Sequence, residues 1–137
     1  MVKANFEMPV MPTFREQSYL LTGSRRGRVW LMRRSLQTVG SPVSVEANWF
    51  KTLAREELYG DVMGFLHTHP PGAGVNPSSR DVRTMRAWCS SFGKPLLCVI
   101  ACEERVQSTR FEDEQDEYML PVTELFPRGV VVAVEGV

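Results

Sequence analysis

Both histidines of this chain lie two residues apart, in the segment GFLHTHP at positions 64–70. The residues before His67 are apolar, which predicts a strand, and alternate side chains of a strand project from one face. His67 and His69 can therefore reach a single metal ion. The next residues are rich in proline and glycine and predict a loop, after which Ser78 can cap a helix with Asp81 in its first turn. Zinc held by two imidazoles and one carboxylate keeps a position open for water, as catalytic sites do. The spacing predicts one catalytic zinc per chain, bound by His67, His69 and Asp81.

A water molecule activated by zinc needs a base that accepts its proton and passes it to a leaving amine. The carboxylates that precede the histidines are Glu7, Glu16, Glu46, Glu56 and Glu57. Glu56 and Glu57 lie on the polar side of a predicted helix, and Glu46 lies near the start of that helix. Glu16 stands directly before an apolar strand, where a sheet could hold it against the metal. The residue pattern alone leaves the choice of base open.

Composition and charge limit the classes of protein to which the chain can belong. The 137 residues are 43% hydrophobic, which is enough for one domain, at 1–137, with a core that needs no disulfides. The formal net charge is zero, so no basic field for nucleic acid is expected, and arginines at 25–34 and acids at 112–117 are interpreted as solvated surface. The chain has no apolar run of membrane-spanning length and no signal-peptide pattern, which predicts a cytoplasmic protein without membrane contact. Cys89, Cys98 and Cys102 are interpreted as reduced and buried.

Helical and strand patterns alternate along the chain, which predicts an α/β sandwich built on one mixed sheet. The expected elements are strands at 17–22 and 28–32 around a turn at 23–27, a helix from Asn48 to about Tyr59, the histidine strand, a helix at 79–91, and strands at 96–101, 106–111 and 130–134. Apolar residues recur at helical spacing in the first helix, at Phe50, Leu53, Ala54 and Leu58. The second helix carries a stripe that is expected to pack in the core: Val82, Met85, Trp88, Cys89 and Phe92.

The chain resembles the JAMM (MPN-type) metalloprotease family in one combined motif. The motif consists of the string HTHP, a loop and the string SSRD, with an upstream glutamate that opens a strand ending in glycine. The similarity is greatest to the family's short prokaryotic members and covers residues 16–111. The resemblance implies that His67, His69 and Asp81 bind zinc, that Glu16 is the general base and acid, and that Ser78 stabilises the oxyanion. It also implies a curved mixed sheet flanked by helices, as in a cytidine-deaminase-like sandwich. Members of the family cleave isopeptide or peptide bonds after the C-terminal tail of ubiquitin or a ubiquitin-like protein.

Three features differ from the family pattern. The segment before Glu16 is short and contains Pro9 and Pro12, so the helix that usually precedes this glutamate is not expected. Tyr19 stands where the family commonly has glycine, and the loop between His69 and Ser78 is one residue longer than usual. The sequence shows no long insertion that could form the distal ubiquitin-binding elements of eukaryotic deubiquitinases, so linkage selectivity is not expected.

The leading hypothesis is a zinc hydrolase that releases a ubiquitin-like modifier, whose tail would lie along an exposed sheet edge with its last carbonyl at the zinc. One alternative is a binding module that keeps the fold and lacks the chemistry. The other is a peptidase that acts on cell-wall or phage-tail precursors. The sequence does not identify the modifier, the pathway or the oligomeric state.

Overall fold

A computed structural model of the chain describes residues 15–39, 49–112, 118–120, 122–125 and 129–135. These residues form eight strands and two helices, which agrees with the expected mixed α/β class. In chain order the elements are β1 (Gln17–Arg26), β2 (Val29–Val39), α1 (Trp49–Tyr59), β3 (Val62–Thr68), α2 (Ser79–Phe92), β4 (Leu96–Cys102), β5 (Arg105–Phe111), β6 (Tyr118–Leu120), β7 (Val122–Leu125) and β8 (Val130–Val134).

The described strands form one mixed sheet in the order β6-β5-β4-β3-β1-β2-β8-β7. Strands β3 and β4 run parallel, and the other neighbouring pairs in this order run antiparallel. Parallel neighbours need a long crossover connection, which the loop after β3 and helix α2 supply. Strand β1 lies between β2 and β3, and Ser18 on β1 pairs directly with His67 on β3. This order places the residues around Glu16 beside the histidine strand.

One face of the sheet packs against helix α2. Trp88, Met85 and Cys89 of the helix are buried against Phe65 of β3, together with residues of β4 and β5. Trp49 of α1 stacks on Trp88, so both helices lie on this side of the sheet. The stripe predicted for the second helix is therefore confirmed as core packing. All three cysteines are buried and none forms a disulfide.

The opposite face buries a second cluster that comes from strands alone, with Trp30, Leu66 and Val99 among its members. The sheet curls around this cluster. Arg110 of β5 forms an ion pair with Glu135, which follows β8, although four strands separate β5 from β8 in the sheet. Glu135 also accepts a hydrogen bond from the indole of Trp30 at 2.8 Å, so a charged cluster bridges the curl.

The structure corrects several predicted element boundaries, and other predictions concern residues that it does not describe. The first hairpin exists, but its strands continue to Arg26 and from Val29, so the turn is not at 23–27. Gly23 is a strand residue that pairs with Met32. A Cβ there would lie 2.0 Å from the carbonyl oxygen of Leu31, so the close approach of β2 requires glycine. The helix starts at Trp49 in the structure, and the predicted cap Asn48 lies outside the described residues, as do Pro9, Pro12 and positions 113–117. Neither described helix is long and apolar enough to span a membrane.

The apolar stripe of α1 faces solvent. Phe50 is 87% exposed and Leu58 is 76% exposed, while Thr52 is fully buried. The carboxylate of Glu56 accepts hydrogen bonds from the backbone of Val62 and from Lys94, which fixes this helix to the sheet through polar groups. The spacing of apolar residues identified a real helix but does not mark its buried side.

Candidate metal centre

Three side chains converge at the carboxyl end of β3 and the start of α2. The Nε2 atoms of His67 and His69 lie 3.1 Å apart. Asp81 places one carboxylate oxygen 3.3 Å from Nε2 of His67 and the other 3.4 Å from Nε2 of His69. The three side chains are 11–18% exposed, so the group is sheltered but reachable from solvent. These residues could hold a metal ion, as their spacing in the sequence predicted.

The donor atoms lie close enough together to share one ion. With zinc–nitrogen bonds of 2.0–2.1 Å, neighbouring ligand atoms of a tetrahedral shell lie about 3.3 Å apart. The two imidazole nitrogens are 3.1 Å apart, close to this value, and each lies within 3.4 Å of a different oxygen of Asp81. Two imidazole nitrogens and a carboxylate are also donors that zinc accepts, and three protein ligands leave one position of a tetrahedron open.

The loop after β3 fixes the ring of His69. Its Nδ1 lies 2.9 Å from the carbonyl oxygen of Gly74, and a carbonyl can only accept, so Nδ1 carries the hydrogen. In the neutral ring, Nε2 then keeps the lone pair that a metal needs. The backbone N–H of His69 donates to the carbonyl of Ala101 in β4, which ties the end of the strand to the sheet. Strand and loop together fix the position of the His69 ring.

Ser78 and Asp81 form a capping box at the start of α2. The hydroxyl oxygen of Ser78 accepts from the backbone of Asp81 at 3.1 Å, and the carboxylate of Asp81 accepts from the backbone of Ser78 at 2.8 Å. Burial raises the pKa of Asp81, but hydrogen bonding to His67, the charge of His67 and the bonds to Ser78 together hold that pKa well below its usual range. Asp81 is therefore an anion whose position is fixed by the helix terminus. The Ser78 hydroxyl keeps its own hydrogen available, because the cap uses its oxygen as an acceptor.

Glu16 lies in the same cleft as the three metal-binding candidates. It is 5% exposed, and burial raises its pKa, while positive charge on His67 and His69 opposes that effect. Of the other base candidates, Glu56 is bonded to the backbone of Val62 and Glu57 is exposed, and neither lines the cleft. Glu7 and Glu46 lie outside the described residues.

The cleft has a volume of about 460 Å³ and is lined by two chemically different groups of residues. One group consists of the metal-binding candidates, Glu16 and Ser78. The other is an aromatic wall, which we define as Trp49, Phe65 and Trp88. Sequence reasoning identified Trp88 as core and did not single out Trp49, because nothing in the pattern of α1 indicates that its first residue reaches a site on another helix. The indole nitrogen of Trp88 is buried, and no group among the described residues accepts a hydrogen bond from it.

Comparison with models of known protein families and with curated protein sequences gives no match to this chain.

Proposed function

We propose that this chain is a JAMM-type zinc peptidase that cleaves after the C-terminal tail of a ubiquitin-like protein, either to remove the modifier from a conjugate or to process a precursor. The observation that carries the proposal is the position of Glu16 in one cleft with His67, His69 and Asp81. His67 belongs to β3 and His69 directly follows that strand, while Asp81 lies in α2 and Glu16 directly precedes β1. Their order along the chain and their position in one cleft support the proposal.

The side chains supply the parts that amide hydrolysis requires. Zinc held by His67, His69 and Asp81 would supply Lewis acidity, which polarises a carbonyl and lowers the pKa of water from about 16 to near 7. Glu16 is the base that takes the proton from the attacking water and returns it to the departing amine. Its burial favours this role, because a raised pKa makes the carboxylate a better proton acceptor. Ser78 donates its free hydroxyl hydrogen to the oxyanion that develops on the substrate.

The test is cleavage of ubiquitin and ubiquitin-like proteins that carry a short peptide after the terminal glycine, with products identified by mass spectrometry. We expect one cut, directly after that glycine. Glu16→Gln should abolish cleavage and keep its zinc, while Asp81→Ala should lose both. Glu57→Gln is the matched control, because Glu57 is an exposed glutamate that does not line the cleft, and it should behave as the wild type.

Two alternatives predict different results in the same assay. A binding module with this fold would cleave nothing. A general peptidase for cell-wall or phage-tail precursors would cut unstructured peptides as fast as the folded fusion, or would cut the fusion elsewhere. Intact Glu16, Ser78 and ligand residues in one cleft support the hydrolase over the binding module.

A further inference from the structure

The aromatic wall lines the same cleft as the metal-binding candidates, and the proposed chemistry does not use it. Trp49 stacks on Trp88 with ring centroids 3.8 Å apart and planes inclined by 18°, and Phe65 packs against Trp88 at 5.1 Å. Trp88 is fully buried, whereas Trp49 is 40% exposed. Met85 adds a further apolar side chain beside them. The wall therefore offers a substrate the accessible part of one indole, held in place by a second.

A glycine tail cannot fill this part of the cleft. Pockets of about 300–1,000 Å³ commonly hold a whole small ligand, and this cleft, at about 460 Å³, is in that range. Under the proposed function the acyl side of the cut bond ends in glycine, which has no side chain to place on the wall. The residue on the other side of the cut bond, whose amine is released, can supply the side chain that the terminal glycine lacks.

We infer that the aromatic wall is the subsite for a large apolar side chain on the amine side of the scissile bond, with Trp49 as its specificity-determining residue. This inference rests on the proposed function and narrows it to precursors in which the terminal glycine is joined to the α-amine of a residue such as phenylalanine. A phenyl ring can stack on an indole with a favourable offset, which the thin methylene chain of an isopeptide-linked lysine does not do.

The kinetic test uses the full chain loaded with zinc and three ubiquitin substrates. In two of them the terminal glycine is followed by Phe-Ala-Ala or by Gly-Ala-Ala, and in the third it is joined to the side chain of lysine. We expect kcat/KM for the phenylalanine fusion to exceed that for each of the others by about tenfold or more, since burying one large apolar side chain commonly has an effect of this size. Equal rates, or faster cleavage at lysine, overturn the inference and leave the proposed function standing.

Variants of α1 test whether Trp49 sets the preference for phenylalanine over glycine. Trp49→Ala should reduce the ratio between the phenylalanine and glycine fusions to near one, and Trp49→Phe should keep part of it. Phe50→Ala is the matched control, because Phe50 is the neighbouring aromatic residue, is 87% exposed and does not line the cleft. A preference that survives Trp49→Ala, or that Phe50→Ala also removes, shows that Trp49 does not set it.

If no substrate is cleaved, a binding measurement tests the subsite separately from the proposed function. The peptides Phe-Ala-Ala and Gly-Ala-Ala are titrated into the metal-free chain by calorimetry. Stronger binding of the phenylalanine peptide that Trp49→Ala abolishes would support the subsite even if the proposed function fails. Equal or undetectable binding of both peptides, together with no cleavage, overturns both proposals.

Discussion

Replacing Gly64 with alanine should separate strands β3 and β4 at the point where they support His67 and His69. A Cβ at this position would lie 2.0 Å from the carbonyl oxygen of Leu97 and 2.8 Å from its backbone nitrogen. Real Cβ atoms essentially never come closer than 3.0 Å to another heavy atom, so the backbones must move apart by about 1 Å. That movement breaks the parallel ladder in which Gly64 pairs with Leu97 and His67 pairs with Ile100.

The expected loss is about 3 kcal/mol of unfolding free energy: about 1 kcal/mol for each of two ladder hydrogen bonds and about 1 kcal/mol for a side chain at φ 156°. Urea denaturation of the metal-free chain measures it. Gly93→Ala is the control, because Gly93 has positive φ at the end of α2 and nothing lies within 4 Å of its Cβ position. This control should lose only about 1 kcal/mol.

The two variants should also differ in metal binding. His67 lies three residues beyond Gly64 on the same strand, so displacement of β3 moves it relative to Asp81 and should weaken zinc binding at least tenfold. The Gly93→Ala variant should bind zinc as the wild type does. If Gly64→Ala matches Gly93→Ala both in stability and in zinc affinity, close strand contact does not support the site and the reasoning is wrong.

Further predictions concern the site itself. Metal analysis of the chain after zinc supplementation should find one zinc, and replacing His67 and His69 together with alanine should remove it. Burial raises the pKa of Glu16, so the folded metal-free chain binds a proton at this carboxylate more tightly than the unfolded chain does. This proton binding stabilises the fold at low pH, and the stabilisation is lost as the pH rises through the pKa of Glu16 in the folded chain. Glu16→Gln should therefore be more stable than the wild type at pH 7 in urea denaturation, with the difference shrinking in acid. Ser78→Ala should lower kcat by about a hundredfold and unfolding free energy by about 1 kcal/mol, whereas Ser79→Ala, outside the cap and the cleft, should change neither by as much.

The meeting of the three metal-binding candidates could be predicted from the sequence because the position of each depends on local structure. Alternate residues of a strand share a face, which brings His67 and His69 together, and the helix cap at Ser78 places Asp81 in the first turn. The position of Glu16 beside them depends on the pairing of β1 with β3, which no local pattern encodes. The resemblance to a known motif supplied that expectation, and the structure places Glu16 in the cleft.

The features that the sequence did not predict depend on contacts between distant elements. Gly23 looked like part of a turn, but it is a strand residue at which β2 comes too close for a side chain. The stripe at Phe50 and Leu58 was visible as a helical pattern, but which side of α1 is buried depends on how the helix sits on the sheet. Strands β6 and β7 have three and four residues, too few for a repeating pattern to be recognised.

The three metal-binding candidates span fifteen consecutive residues, 67–81, whereas Glu16 lies more than fifty positions earlier in the chain. Bringing the three candidates together therefore closes a short loop with a small entropic cost, whereas Glu16 reaches them only through the pairing of β1 with β3. Under the proposed function, metal binding and catalysis thus depend on different parts of the fold. A single change at Glu16 is then expected to yield a protein that still binds zinc and no longer cleaves its substrate.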